Sequence, residues 1–320
     1  MRYPMKLRPA MKYRIWGGEK LKNKYGKTAD IDRLGETWEL SVRDDGMSVV
    51  ENGPYTGKTL KEVLAELGTD AVSPSYDGGV FPLLIKLIDA TDRLSVQVHP
   101  DDRYAAEKEN DVGKTEMWVV LEADEGAELV FDLRAGVTRE DFAAAARAGD
   151  IEETLNACPV KAGDVFFIPS GMVHAIGAGI VIAEIQQNSD LTYRVYDYNR
   201  RQSDGSLREL HVEKALDVVR PFRTEEIDAI RYAAKTEKDG AENLAHCRYF
   251  CTDRLVLSHE PLACVADETT FHALLCTRGE GSILCAGTVT PIKQGETYFI
   301  PAKTGEYSLA GDAEILRAAL

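Results

Sequence analysis

The chain of 320 residues has no apolar run long enough to cross a bilayer. Its longest, Val80 to Ala90, is short and contains Lys86, whereas a spanning helix needs about 20 apolar residues. It also has no C-x-x-C pair. Five of the six cysteines (Cys247, Cys251, Cys264, Cys276 and Cys285, with Cys158 apart) fall in the last quarter, mostly inside strand-like runs. That pattern reads as buried free thiols in a reducing cytosol. The grouping of His246, Cys247 and Cys251 fits no common zinc spacing. Basic charge is scarce: 38 Lys and Arg face 53 Asp and Glu, for a net charge of -15. A negative field argues against nucleic acid or an anionic membrane as the main partner. A locally basic pocket for an anion is still allowed. The opening stretch MRYPMKLRPAMKYRIWGG has no apolar core before a cleavage site, so a cytoplasmic protein without a secretory signal is expected.

Strand signals dominate. Thr37 to Val42, Leu83 to Ile88, Leu94 to Val98, Met117 to Leu121, Leu129 to Asp132, Val165 to Ile168 and Ile180 to Ile185 are short, apolar or alternating, and bounded by Gly, Pro or Asp. Helical spacing appears at Leu60 to Leu67, Arg139 to Arg147, Ile151 to Leu155 and Val212 to Val218. Thr138, three residues before Asp141, suits a helix N-cap. Helices do not alternate regularly with strands, which excludes a doubly wound parallel sheet. Lys161 to Pro169 (KAGDVFFIP) is echoed by Lys293 to Pro301 (KQGETYFIP). Two related all-β units of jelly-roll type follow, a first over 1–235 with a short helical insertion near 132–158, and a second over 236–320. The mixed charged stretch Thr236 to Asn243 reads as the linker.

Chemistry concentrates in the first unit. On a strand, Ser95, Gln97 and His99 share one face, and Gln97 with His99 can grip one ion; the alternative is a solvated strand face. Gly163 to His174 spells G-x5-P-x-G-x2-H, a strand and a tight turn that aims His174 back across the sheet. Glu116 opens the strand Met117 to Leu121 and could supply an anionic ligand. Two imidazoles, a carboxylate and an amide oxygen suit zinc or another divalent transition metal. His211, His246, His259 and His272 sit in no such setting and read as surface or packing residues. The position matching His174 in the second unit is Glu306, so that copy should have lost its ligand and its metal. Lys86 interrupts an apolar strand, Glu184 lies in another, and Arg194 offers a donor fork suited to phosphate. Surface ion pairs are the alternative for Glu184 and Arg194, and a snorkelling edge lysine for Lys86.

These same segments resemble the type I phosphomannose isomerases of the cupin superfamily, in a compact bacterial form. The likeness rests on Leu94 to Pro100 (LSVQVHP), on Lys114, Glu116 and Trp118 (K-x-E-x-W), and on Glu184 to Arg194. Tyr13 to Gly18 and Gly35 to Glu39 add to it. Ala178 stands where the second cupin motif has Asn, and Glu116 falls further downstream than in ordinary cupins. The resemblance implies two cupin barrels, the second degenerate. It implies interconversion of mannose 6-phosphate and fructose 6-phosphate through an enediol, with one zinc ion per chain held by Gln97, His99, Glu116 and His174. It gives Arg194 a catalytic or charge-stabilising role. Lys114 and Glu184 are the candidates for proton transfer, and Ser95 and Lys86 for substrate contact. A phosphorylated sugar is the expected partner, and a monomer or homodimer the expected state. A metal cupin oxygenase and a non-catalytic sugar-binding sensor are the competing readings.

Overall fold

The structure, a computed structural model, describes residues 1–202, 204–231, 240–258 and 260–320. His259 and part of the expected linker, Thr236 to Asn243, lie outside the described residues. Among the described residues no helix is long and apolar enough to cross a membrane.

Three main antiparallel sheets carry the chain. A six-stranded sheet runs in the order Val165–Ile168, Glu116–Ala123, Ile180–Gln187, Leu83–Ala90, Ala10–Gly18, Leu34–Leu40. A five-stranded sheet (Leu155–Pro159, Glu128–Leu133, His174–Ala175, Val96–Val98, Tyr193–Tyr196) faces it. Between them lie Trp16, Ile88, Trp118, Ile168, Met172 and Ile182. The outer side of the five-stranded sheet is covered by the helices Arg139–Ala148 and Val212–Val218, through Phe142, Ala146, Ala215 and Leu216. The other side of the six-stranded sheet, with Leu83, Ile85, Leu87, Met117, Val119 and Ile185, packs on a nine-stranded C-terminal sheet through Phe271, Ala273, Phe299 and Leu316. The central strands Leu83–Ala90 and Ile180–Gln187 are therefore buried at every position, which explains their near-continuous apolar sequence.

The N-terminal strand Met5–Arg8 joins this C-terminal sheet by pairing with Thr297–Ile300. The helix Leu60–Leu67 keeps its expected bounds, and Thr138 with Asp141 forms a reciprocal capping box. Ile151 to Leu155 does not hold as a helix. Only Glu152–Thr154 turns, as a 3-10 segment, and Leu155 starts a strand paired with Leu133. Five residues are too few for periodicity to separate the two forms.

The repeated nonapeptide builds one turn twice. Gly163 and Gly295 have φ of 92° and 82°, values that a type II turn requires at its third residue. The acid that follows accepts the backbone N–H of the starting lysine, at 2.9 Å for Asp164 and 3.0 Å for Glu296. Strand register extends the duplication. Across the six-stranded sheet run Trp38, Lys86, Glu184, Trp118 and Phe166 as successive partners. Across the C-terminal sheet run Asn243, Asp253, Arg317, Leu274 and Tyr298. Asp253 and Arg317, 2.6 Å apart, thus repeat the Lys86–Glu184 ion pair with its charges exchanged. Glu116 lies opposite Ile168 and His272 opposite the equivalent Ile300. His272 bonds the Tyr307 hydroxyl at 2.7 Å, Glu306 is exposed, and the barrel interior is filled by Leu255, Ile283, Tyr298 and Leu309. The second barrel is a degenerate copy with a packed interior.

Candidate metal centre and adjoining cavity

Strand register brings the predicted ligands together. In the five-stranded sheet Gln97 sits directly between His174 and Arg194, so the three side chains share the face toward the opposite sheet. His99 follows one residue after that strand ends. Glu116 approaches from the six-stranded sheet, where it pairs with Ile168 and Gln186. His174 is aimed by the turn after Pro169, in which Gly171 has φ of 88° and donates its N–H to the His99 carbonyl at 2.9 Å. A Cβ at Gly171 would stand 3.0 Å from the Val218 carbonyl oxygen in a strained conformation, so the turn needs glycine there.

Both imidazoles are oriented by their Nδ1 atoms. His99 donates to the Leu191 carbonyl at 2.8 Å and His174 to the Met172 carbonyl at 2.9 Å. Each Nε2 is left with its lone pair, and the two lie 3.1 Å apart, near the roughly 3.3 Å between two nitrogens on one tetrahedral zinc. Burial, aided by the Lys114 charge, pushes His99 down to about 3; burial also lowers His174. Both rings are therefore neutral at pH 7, as metal ligation requires.

Each Nε2 is 3.5 Å from an oxygen of Glu116. Burial pushes the Glu116 carboxyl up, but the Lys114 charge outweighs it and the group is held well below the carboxylate range. Among the described residues neither oxygen, both fully buried, receives a directed hydrogen bond, although Lys114 Nζ is 3.0 Å away. The Gln97 amide is 3.4 Å from His174 Nε2, and a half-turn of the amide presents its oxygen. Facing lone pairs beside an undonated carboxylate fit a divalent cation. His99, Glu116 and His174 are the one such His/Cys/Asp/Glu group among the described residues; His246 and the cysteines form none.

A cavity of about 470 Å³ opens beside this centre, lined in part by Ser95, Gln97, Lys86, Lys114, Glu184 and Arg194. Residues 5–127 match the family described as phosphomannose isomerase type I, catalytic domain, and residues 241–320 match mannose-6-phosphate isomerase, cupin domain. Mannose-6-phosphate isomerase ManA of Bacillus subtilis is 38% identical over 314 residues, 98% of each chain. The chain belongs to the type I phosphomannose isomerase family. The family member from Streptococcus mutans is 46% identical over 219 residues, 68% of each chain. A crystal structure of mannose 6-phosphate isomerase from Bacillus subtilis superposes with a TM-score of 0.88 at 33% identity, covering 99% of both chains.

In this family member Lys86 is no edge lysine. It is buried, 3.1 Å from Glu184 Oε1, and although burial would lower it, Glu184 and Glu36 keep it protonated. Glu184 Oε2 accepts the Trp118 indole N–H at 3.0 Å, while Oε1 has no directed donor among the described residues. Burial and the Glu116 charge raise Glu184 against the pull of Lys86.

Two features of the pocket wall carried no role in the sequence. Glu36 takes a bidentate pair from Arg14 (2.8 and 3.0 Å) and the Trp38 indole N–H at 2.9 Å. Arg208 reaches the cavity from the irregular stretch after Tyr193–Tyr196. Its sole ion-pair partner among the described residues is Asp197, at 3.3 Å and shared with Arg200. Among the described residues Arg194 bonds Ser95 Oγ and the Glu209 carbonyl, at 3.3 and 2.8 Å, but no carboxylate. Burial and the Arg194 charge push Arg208 down to about 10. An anion would relieve this crowding.

Burial raises the Glu36 carboxyl, yet Lys86 and Arg14 overcome it and set it at about 2, against 4.5 unperturbed. A depressed carboxylate contributes stability that is complete above pH 4.5 and lost as pH falls toward 2. The difference amounts to about 3 kcal/mol. Urea unfolding across pH 2–6 should therefore show a steeper acid loss in wild type than in Glu36→Gln; identical slopes would contradict the assignment.

Proposed function

We propose that the chain interconverts D-mannose 6-phosphate and D-fructose 6-phosphate through an enediol. One observation supports this reading above others. A buried His–Glu–His donor set and a buried Lys–Glu pair open on one cavity whose mouth carries arginines short of carboxylate partners.

Gln97, His99, Glu116 and His174 would hold one zinc ion, which supplies Lewis acidity at the sugar oxygens. Glu184 takes the C2 proton of the aldose and delivers it to C1, while a second proton passes from O2 to O1. Its Oε1 is undonated and faces Lys86, and Trp118 fixes the other oxygen. A raised carboxyl is the better base for a weakly acidic C–H. Lys114 and Arg194 set positive charge where the enediolate oxygens develop. Ser95 braces Arg194 through its Nε and presents a hydroxyl to the substrate. Lys86 keeps Glu184 in place. Arg208 takes the phosphate.

The test is conversion of mannose 6-phosphate to fructose 6-phosphate by purified protein of known metal content. Metal-bound protein without this activity, taking up oxygen instead, would favour a cupin oxygenase. Arg208→Ala is expected to raise KM for mannose 6-phosphate about tenfold or more, with kcat little changed, since charged hydrogen bonds are worth about 1.5–3 kcal/mol. Unphosphorylated mannose should show no such loss, and an equal loss for both sugars would remove Arg208 from the phosphate site.

A further inference from the structure

The strand Leu34–Leu40 has two sets of partners. Glu36 and Trp38 face the cavity side, where Trp38 binds Glu36 and its ring lies 5.6 Å from Lys86 Nζ. Thr37 and Glu39 face the C-terminal sheet. Register against Leu83–Ala90 slips between Trp38 and Leu40, because Trp38 pairs with Lys86 and Leu40 with Ile85. Glu39 is thus the extra residue of a β-bulge, a device that re-aims neighbouring side chains.

The Glu39 carboxylate is fully buried and holds three groups together. Its Oε1 accepts the Thr37 hydroxyl and meets Lys27 Nζ, each at 2.6 Å. Its Oε2 accepts the Thr297 hydroxyl at 2.8 Å. Lys27 Nζ also donates to the Gly295 carbonyl. Gly295 and Thr297 belong to the second copy of the repeated turn, so the C-terminal barrel grips the bulge. The equivalent of Thr297 in the first copy is Val165, which has no hydroxyl.

We propose that Thr297 is a positioning residue for the isomerase. Through Glu39 it fixes the bulge that sets Trp38 and Glu36 against Lys86, and so the second barrel shapes the active cavity. The proposal rests on the isomerase reading above. A buried carboxylate that loses one of its donors is left undersatisfied, so the bulge is expected to shift toward other partners and to move Trp38.

The full-length, metal-loaded chain should be compared as wild type, Thr297→Val and Thr297→Ser, with kcat and KM for mannose 6-phosphate, metal content and Tm measured. Thr297→Val is expected to lower kcat/KM about tenfold at unchanged metal content, because small misplacements of positioned groups cost that much or more. Thr297→Ser, which keeps the hydroxyl, should remain near wild type. A Thr297→Val protein with wild-type kcat and KM, whatever its Tm, overturns the proposal. Should that variant not fold, Thr297→Cys, similar in size but only a weak donor, is read against Ser in the same way. Wild type inactive on mannose 6-phosphate would instead sink the isomerase reading itself.

Discussion

Protein stripped of divalent metal is expected to lose isomerisation of mannose 6-phosphate by about 10³-fold or more, and to regain it when zinc is restored. Lewis-acid stabilisation of the developing charge is worth several kcal/mol, and each 1.4 kcal/mol is tenfold in rate. The donor set has no other evident use. Its two rings are neutral and already oriented by backbone carbonyls, and the carboxylate between them has no directed donor. Because the ligands come from both facing sheets, chelation should also lower Tm, as loss of any native-state ligand does. Full turnover with no metal left by elemental analysis would refute the assignment of Gln97, His99, Glu116 and His174. Add-back with manganese and cobalt beside zinc ranks the candidate metals.

The second large effect is expected at Glu184. Glu184→Gln keeps the shape and the Trp118 bond but removes the base, and kcat should fall roughly 10²- to 10⁴-fold, the usual worth of a positioned proton-transfer group. KM should change little, since the group does not hold the phosphate. Lys114→Met supplies the comparison. If Lys114 moves the proton, its variant loses more rate and also loses exchange of the sugar's C2 hydrogen with deuterated solvent. If Glu184 does, that exchange disappears in Glu184→Gln and persists, slowed, in Lys114→Met. Lys114 lies against a metal ligand, so metal content must be measured in its variant before rates are compared.

Local features of the fold were legible from sequence. The turn around Gly171 and the capping box at Thr138 depend on residues close in the chain, and both appear where the pattern puts them. Spacing made Gln97 and His99 candidates for one ion and aimed His174 across the sheet, and the family resemblance joined them in one site. The helix Asp102–Glu109 escaped notice because it buries only Ala105 and so has no apolar stripe to read. Arg208 escaped for a different reason: it lies in irregular chain, where no period tells which side chain turns inward. Glu36 was visible only as part of a family-like string, because its role comes from Arg14, Trp38 and Lys86 on three strands. Thr297 was beyond reach, since its partner Glu39 is 258 residues away.

The paired rows across the two sheets bear on what the Lys86–Glu184 pair is for. Catalysis cannot be the only reason for an ion pair at that crossing, because the C-terminal copy, with its filled interior, keeps one there as Asp253 and Arg317. The sheet evidently tolerates opposite charges between those two strands in either orientation. The crossing recurs in both copies, and the two differ in which strand carries the acid. With lysine on one side and glutamate on the other, the acid is the member next to Trp118, within reach of the metal centre. The second barrel thus shows the same crossing with its polarity reversed and its interior filled.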